Sequence, residues 1–133
     1  MILKYRAWDS WRKRMSVVDR IYIDTEGVRL YDDFGEYWRD FRDIKLMQST
    51  GLTDKNGKEI FDGDIVRTTR FLGRADEIGG FYEYEKDYVG VVKVLEGSWV
   101  IDTGSVAVRL WSEIDESEVL GNIYENPELL EDE

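Results

Sequence analysis

Near its start the chain alternates Leu3, Tyr5 and Ala7 with Lys4 and Arg6, the period of two that marks a strand with one buried face. Trp8 then falls on the polar face. The polar run Asp9 to Arg14 predicts a turn and Met15 to Ile23 a returning strand with Val17, Ile21 and Ile23 inward, so the first two strands form a hairpin with a cationic tip. Gly27 precedes a short strand, Val28 to Tyr31, closed by the turn-prone Asp32, Asp33 and Gly35. Phe34, Tyr37, Trp38 and Phe41 are spaced i, i+3, i+4 and i+7, an apolar stripe that predicts a short helix of about two turns. Ile44 to Gln48 is extended again. Asp54-Lys55-Asn56-Gly57 contains Asn-Gly, whose tolerance of positive φ signals a hairpin. Ile60 to Arg67 is then the return strand, with a bend or bulge at Gly63.

From Thr68 to Asp87 the pattern breaks, with Gly73, Gly79 and Gly80 among dense charge. Residues 68–88 read as a long irregular arm or loop, although Tyr82 and Tyr84 alternate with Glu83 and Glu85 as a strand at its end would. The β-rich runs Val89 to Leu95, Trp99 to Ile101 and Val106 to Trp111 follow at short spacing, separated by Glu96-Gly97 and Asp102-Thr103-Gly104. Trp99 and Trp111 sit among Val and Ile and are expected in the core. Glu118 to Tyr124 is a last strand, and Asn126-Pro127 opens one helical turn with Asn as its cap. Together these runs predict a single, mainly β domain over 1–133. Its form is a small, partly open barrel-like meander with one short helical segment, the irregular arm, and an acidic C-terminal end at 125–133.

Composition sharpens this picture. The 133 residues are 42 % apolar and carry five Trp, eight Tyr and five Phe, side chains that suit pleated, half-buried surfaces. There is no Cys, which fits a reducing cytoplasm and leaves no disulfides or thiolate metal sites. No apolar run has the length expected of a signal peptide or membrane span. The net charge of −11 is distributed unevenly: Met1 to Arg14 holds five cations and one anion, Ser112 to Glu133 nine anions and no cation. Such a field repels polyphosphate, because nucleic-acid affinity rests on cations that neutralise phosphates.

With neither His nor Cys, a Ser-His-Asp or Cys-His nucleophile system is unavailable, and no catalytic residue, cofactor or metal is expected. Two carboxyls in different environments can divide acid and base roles, and Asp62 with Asp64 or Glu83 with Glu85 are pairs of that kind. Among 29 acids, solvated surface carboxylates account for them more simply. A calcium loop built on Gly57 would put Leu52 at its first position and Gly63 at its twelfth, neither of them a ligand. Gly79-Gly80 lacks the spacing and the strand-to-helix setting of a phosphate loop.

One constellation remains: Lys4, Arg6, Trp8, Trp11, Arg12, Lys13 and Arg14, aromatic faces among cations as single-stranded nucleic acid uses them. The plainer reading packs Trp8 in the core and lets the cations answer the acidic C-terminal segment, within the chain or between subunits. Arg6, Trp11, Arg12, Lys13 and Arg14 form the candidate binding surface.

Three blocks are similar to the YopX family of phage and prophage proteins. They are Lys4-Tyr5-Arg6-Ala7-Trp8-Asp9 with Met15 after the turn, LMQSTGLTDKNGKEIFDGDIV from Leu46 to Val66, and EVLGNIYENPELL from Glu118 to Leu130. The resemblance implies a mostly β, barrel-like fold and an origin in phage or prophage regions of Gram-positive bacteria, and it brings no catalytic residues. The expectation is a cytoplasmic, non-catalytic accessory protein that binds another protein, either a host or phage component or itself. A nucleic-acid-binding module using the basic hairpin is the alternative, and a carboxylate-based enzyme ranks behind both.

Overall fold

The computed structural model describes residues 4–75, 78–110 and 116–130. The chain forms two compact units, Met1–Thr50 and Gly51–Glu133, each with its own apolar cluster. The mainly β expectation holds: among the described residues the strands form two antiparallel sheets, neither of them closed, and helix is confined to two isolated 3-10 turns.

In the first unit β1 (Tyr5–Asp9), β2 (Arg14–Tyr22), β3 (Gly27–Asp32) and β4 (Gly35–Asp40) are followed by a 3-10 turn at Phe41–Asp43 and by β5 (Ile44–Thr53). Their order across the sheet is β4-β3-β2-β1-β5. Ala7, Val28, Leu30 and Ile44 are its buried core, joined by Val18, Ile21, Tyr37 and Phe41. Directly paired residues of an antiparallel sheet share a face. The register Asp9↔Arg14 and Ala7↔Ser16 therefore places Asp9, Arg14 and Ser16 on the core side and Arg6, Trp8, Met15 and Val17 on the other.

Two local expectations change here. Val17 is exposed and Ile23 is 76 % exposed, because the register with β3 slips between Val18 and Arg20. An extra residue at that bulge switches the inward set from Ser16 and Val18 to Ile21, and Ile23 lies beyond the strand. The helix expected from Phe34 to Phe41 is instead β4, paired residue by residue from Gly27↔Asp40 to Asp32↔Gly35. Gly35 has φ +123°, which no helical first turn tolerates. Once the chain is extended, Tyr37 and Trp38 point to opposite faces, and Trp38 packs on Tyr22 at 5.4 Å between ring centres.

The second unit takes β5 from Gly51 onward, followed by β6 (Glu59–Phe61). β7 (Asp64–Ala75), β8 (Phe81–Leu95), β9 (Ser98–Asp102), β10 (Ala107–Arg109) and β11 (Glu116–Asn122) form a sheet of order β10-β9-β8-β7-β11. Ile60, Val66, Val92, Ile101 and Leu110 are its buried core, with Leu52, Trp99, Val108 and Val119 packed against them. Trp99 is half-buried there; Trp111 lies outside the described residues.

Gly63, at φ +86°, ends β6 and turns the chain into β7 in a conformation glycine adopts without strain. The segment 68–88 is not an irregular arm: β7 and β8 pair without a break from Ile65↔Val91 to Ala75↔Phe81. The strand expected at its end from the alternation of Tyr82 and Tyr84 with Glu83 and Glu85 is part of β8, and Glu83, Glu85, Lys86 and Asp87 along it are exposed. At the far end the expected helical turn forms at Pro127–Leu130, as a 3-10 helix. The Asn126 Oδ1, however, accepts from the Asn122 N–H at 3.2 Å and so is turned away from that turn.

Candidate functional site

The tip of the β1–β2 hairpin is organised by a carboxylate. Asp9 continues the inward alternation of Tyr5 and Ala7 and is wholly buried, where an ionised group needs a charged partner and hydrogen bonds. Its Oδ1 accepts from the backbone N–H groups of Trp11 at 2.9 Å and Arg12 at 3.2 Å. The Arg39 Nε, from β4, donates to the same Oδ1 at 3.3 Å and lies 3.2 Å from Oδ2, which accepts no hydrogen bond among the described residues. Burial acts to raise the Asp9 pKa, but the two backbone donors, Tyr37 and Arg39 together outweigh it and hold the carboxyl below its ordinary value. Lys13 closes the turn with φ +56° and donates its N–H to the Asp9 carbonyl at 2.8 Å.

Around this anion the guanidinium groups and rings interleave. Arg39 stands over Trp11 at 5.1 Å and over Tyr37 at 4.8 Å, and Arg12 over Tyr37 at 4.2 Å. The Tyr37 hydroxyl and Ser16 Oγ share a hydrogen bond of 2.6 Å. A second carboxylate answers the remaining arginines: Asp32 Oδ2 is 3.3 Å from Arg12 and 3.1 Å from Arg14. The backbone N–H of Phe34 donates to Asp32 Oδ1 at 2.8 Å, and Arg14 lies over the Phe34 ring at 4.9 Å. The Asp32 carboxyl is accordingly held below its usual range, first by the Phe34 N–H and then by Arg14 and Arg12.

Two large rings of this network remain on the surface, Trp11 at 70 % and Phe34 at 80 % exposure. Beside Phe34 an open groove of about 390 Å³ is lined by Met15, Val17, Tyr31 and Asp33 together with Arg14 and Asp32.

The structure thus brings Trp11, Arg12, Lys13 and Arg14 together at one tip and separates Arg6 from them on the other face of β1. Among the described residues Arg12 and Arg14 pair with Asp32; residues 111–115 and 131–133 of the acidic segment set against them in the plainer reading lie outside the described residues. Trp8 is half-buried on the face opposite the core cluster. Asp9, Asp32, Tyr37 and Arg39 were missed as site residues. Asp9 was legible in principle, as an acid on the inward phase of β1 two and three residues before the N–H groups it binds.

The paired acids also separate. Asp64 is buried, and its Oδ2 accepts from the Phe61 N–H at 2.8 Å across the Gly63 corner. Glu83 and Glu85 are exposed. Asp54, at the Asn-Gly turn, is buried as well. Its Oδ1 accepts from the N–H groups of Asn56 and Lys58, and its Oδ2 from the N–H of Val119 on β11, each at 2.9 Å. Burial works against ionisation of Asp54, and these bonds with the Lys58 charge prevail, lowering its pKa. Among the described residues no group of three or more acids is placed to hold a metal ion, and no helix is long and apolar enough to cross a membrane.

A family model described as YopX protein matches residues 4–131. This chain belongs to the YopX family. A curated relative, the SPbeta prophage-derived uncharacterized protein YopX of Bacillus subtilis (strain 168), is 28 % identical, with 96 % of this chain and 95 % of the relative covered. Two solved structures are similar. Protein EF1440 from Enterococcus faecalis has a TM-score of 0.62 at 26 % identity over 98 % of this chain and 99 % of that one. Protein yopX from B. subtilis has a TM-score of 0.58 at 26 % identity over 98 % and 97 %. The blocks that resembled the YopX family now have physical roles in this chain. The first forms β1 and the buried Asp9, the second the Asp54 turn and the Gly63 corner, and the third the β11 strand that Asp54 holds.

Proposed function

We propose that this YopX-family protein is a non-catalytic, cytoplasmic accessory protein that binds another protein through the tip of its β1–β2 hairpin and the adjoining β3–β4 turn. One observation carries the reading. Arg12, Arg14 and Arg39 are already engaged by Asp9, Asp32 and aromatic rings, whereas Trp11 and Phe34 are left in water. Trp, Tyr and Arg dominate the energetics of protein interfaces, where a buried ring surrounded by charged groups excludes water. A phosphate chain would have to displace carboxylates from these arginines, against a net charge of −11.

The test is capture of host proteins by the tagged chain, parent beside Trp11→Ala/Phe34→Ala. The reading expects a discrete partner retained by the parent and lost from the double variant, with circular dichroism unchanged. Retention by both would place the interface elsewhere. A micromolar complex of the parent with single-stranded oligonucleotide, abolished by changing Arg12, Lys13 and Arg14 to Gln, would favour the nucleic-acid alternative.

A further inference from the structure

Among the described residues the β7–β8 ribbon has an edge with no strand beside it. β9 accompanies β8 only from Val91↔Asp102 to Leu95↔Ser98, while β7 continues beside it to Ala75↔Phe81. Residues 81–89 of β8 therefore have a pairing strand on the β7 side alone among the described residues. At Gly90 the two paths part, where the Asp102 carbonyl approaches so closely that a Cβ on Gly90 would lie 2.2 Å from it. An open strand edge is a row of N–H and C=O groups ready to pair with another extended chain.

The side chains along this edge select what can pair. Glu83, Glu85 and Asp87 are exposed and, at spacings of two, share one face of β8 over about 13 Å. Lys86 is on the other face, its Nζ 5.2 Å from the Tyr88 ring centre. A second copy of the chain is a poor occupant. Two identical strands related by a two-fold axis pair antiparallel with like faces together, so a residue meets only members of its own face. Centring the axis on Glu83, Tyr84, Glu85, Lys86 or Asp87 sets Glu83 on Glu83, Glu83 on Glu85, Glu85 on Glu85, Glu85 on Asp87 or Asp87 on Asp87. Like charges directly opposite are destabilising. A strand with cations at alternate positions meets the same edge with every pair of opposite sign.

We propose that residues 81–89 of β8 form a strand-addition site for an extended basic segment of a partner protein, with Lys or Arg at alternate positions facing Glu83, Glu85 and Asp87. The site is separate from the β1–β2 tip, and its test does not depend on what binds there. Main-chain hydrogen bonds hold the segment and the acidic row selects its charge.

The probe is a synthetic peptide alternating Lys with Thr, titrated against the full chain. Its companion has every second backbone N methylated, which keeps the charge and removes half of the pairing donors. The proposal expects saturable binding of the first peptide and at least tenfold weaker binding of the second. It also expects a comparable loss in Glu83→Lys/Glu85→Lys, with amide shifts confined to residues 81–89. Both substituted side chains are exposed, so the fold is retained. Equal binding of the two peptides would mean charge attraction alone and would overturn the proposal. So would no binding, or parent dimerisation through this edge.

Discussion

Two turns of this molecule are built on the same chemical device and put it to different ends. At the β1–β2 tip and at the β5–β6 turn a buried aspartate accepts two backbone N–H groups from the residues that follow it: Trp11 and Arg12 for Asp9, Asn56 and Lys58 for Asp54. The difference is the third partner. Asp54 takes the Val119 N–H and so ties its turn to β11 by main chain alone. Asp9 takes the Arg39 side chain, and Arg39 brings Trp11 and Tyr37 with it. A carboxylate satisfied by backbone closes a structure. One satisfied by a guanidinium leaves a side-chain assembly at the surface, and that assembly is the candidate interface.

The largest expected effect falls on the closed turn. Asp54→Ala leaves three backbone N–H groups without their charged acceptor, and at roughly 1–3 kcal/mol for each buried unsatisfied group it should cost about 3–5 kcal/mol. Denaturant titration measures this. Asp9→Ala should cost less, about 2–3 kcal/mol, because the Arg39 it abandons is 17 % exposed and can hydrate. If Asp9→Ala proved the more damaging, the comparison would be reversed.

Acid should weaken both turns. Both carboxyls have folded pKa values lowered from 3.8. Their contribution is therefore complete above the unfolded value and is lost as pH falls below 3.8 through the folded values. Replacing either by Asn should flatten the decline of stability in that acid range and leave the slope near pH 7 unchanged. A variant with the parent's acid profile would show that the carboxylate bonds contribute nothing.

The last contrast is between two rings. Trp99→Ala, which removes a half-buried ring from the second core, should cost about 2–3 kcal/mol, somewhat less than a fully enclosed Trp. Trp11→Ala loses an exposed contact with Arg39 and should cost about 0.5–1 kcal/mol. Equal losses would mean that Trp11 serves the fold and not a partner.

How far these features were legible depended on whether a signal was local. Ala7 and the turns at Asn56-Gly57 and Gly63 could be read because alternation and turn chemistry act over two to four residues. The aromatic stripe from Phe34 to Phe41 misled because i, i+3, i+4 spacing also occurs by chance among residues that favour strands, and Gly35 was the local sign against a helix. The bulge between Val18 and Arg20 left no mark in the sequence, so Val17 was turned the wrong way. The β7–β8 ribbon was legible only where Tyr82 and Tyr84 alternate with Glu83 and Glu85, because the glycines and dense charge of the rest of the segment carry no period of two. Arg12, Lys13 and Arg14 were visible as a basic run, but not that Asp32, eighteen residues beyond Arg14 in sequence, neutralises two of them.

The account rests on Trp11 and Phe34 as the groups a partner covers, with the arginines serving as their setting. The most direct measurement is the affinity of the captured partner for the parent and for Trp11→Ala/Phe34→Ala, by calorimetry at low and high salt. The account predicts at least a tenfold loss on removing the two rings, as truncating interface anchors produces, and only a few-fold change with salt in the parent. An affinity that survives loss of both rings yet falls steeply with salt, as counterion release at phosphates demands, would contradict it.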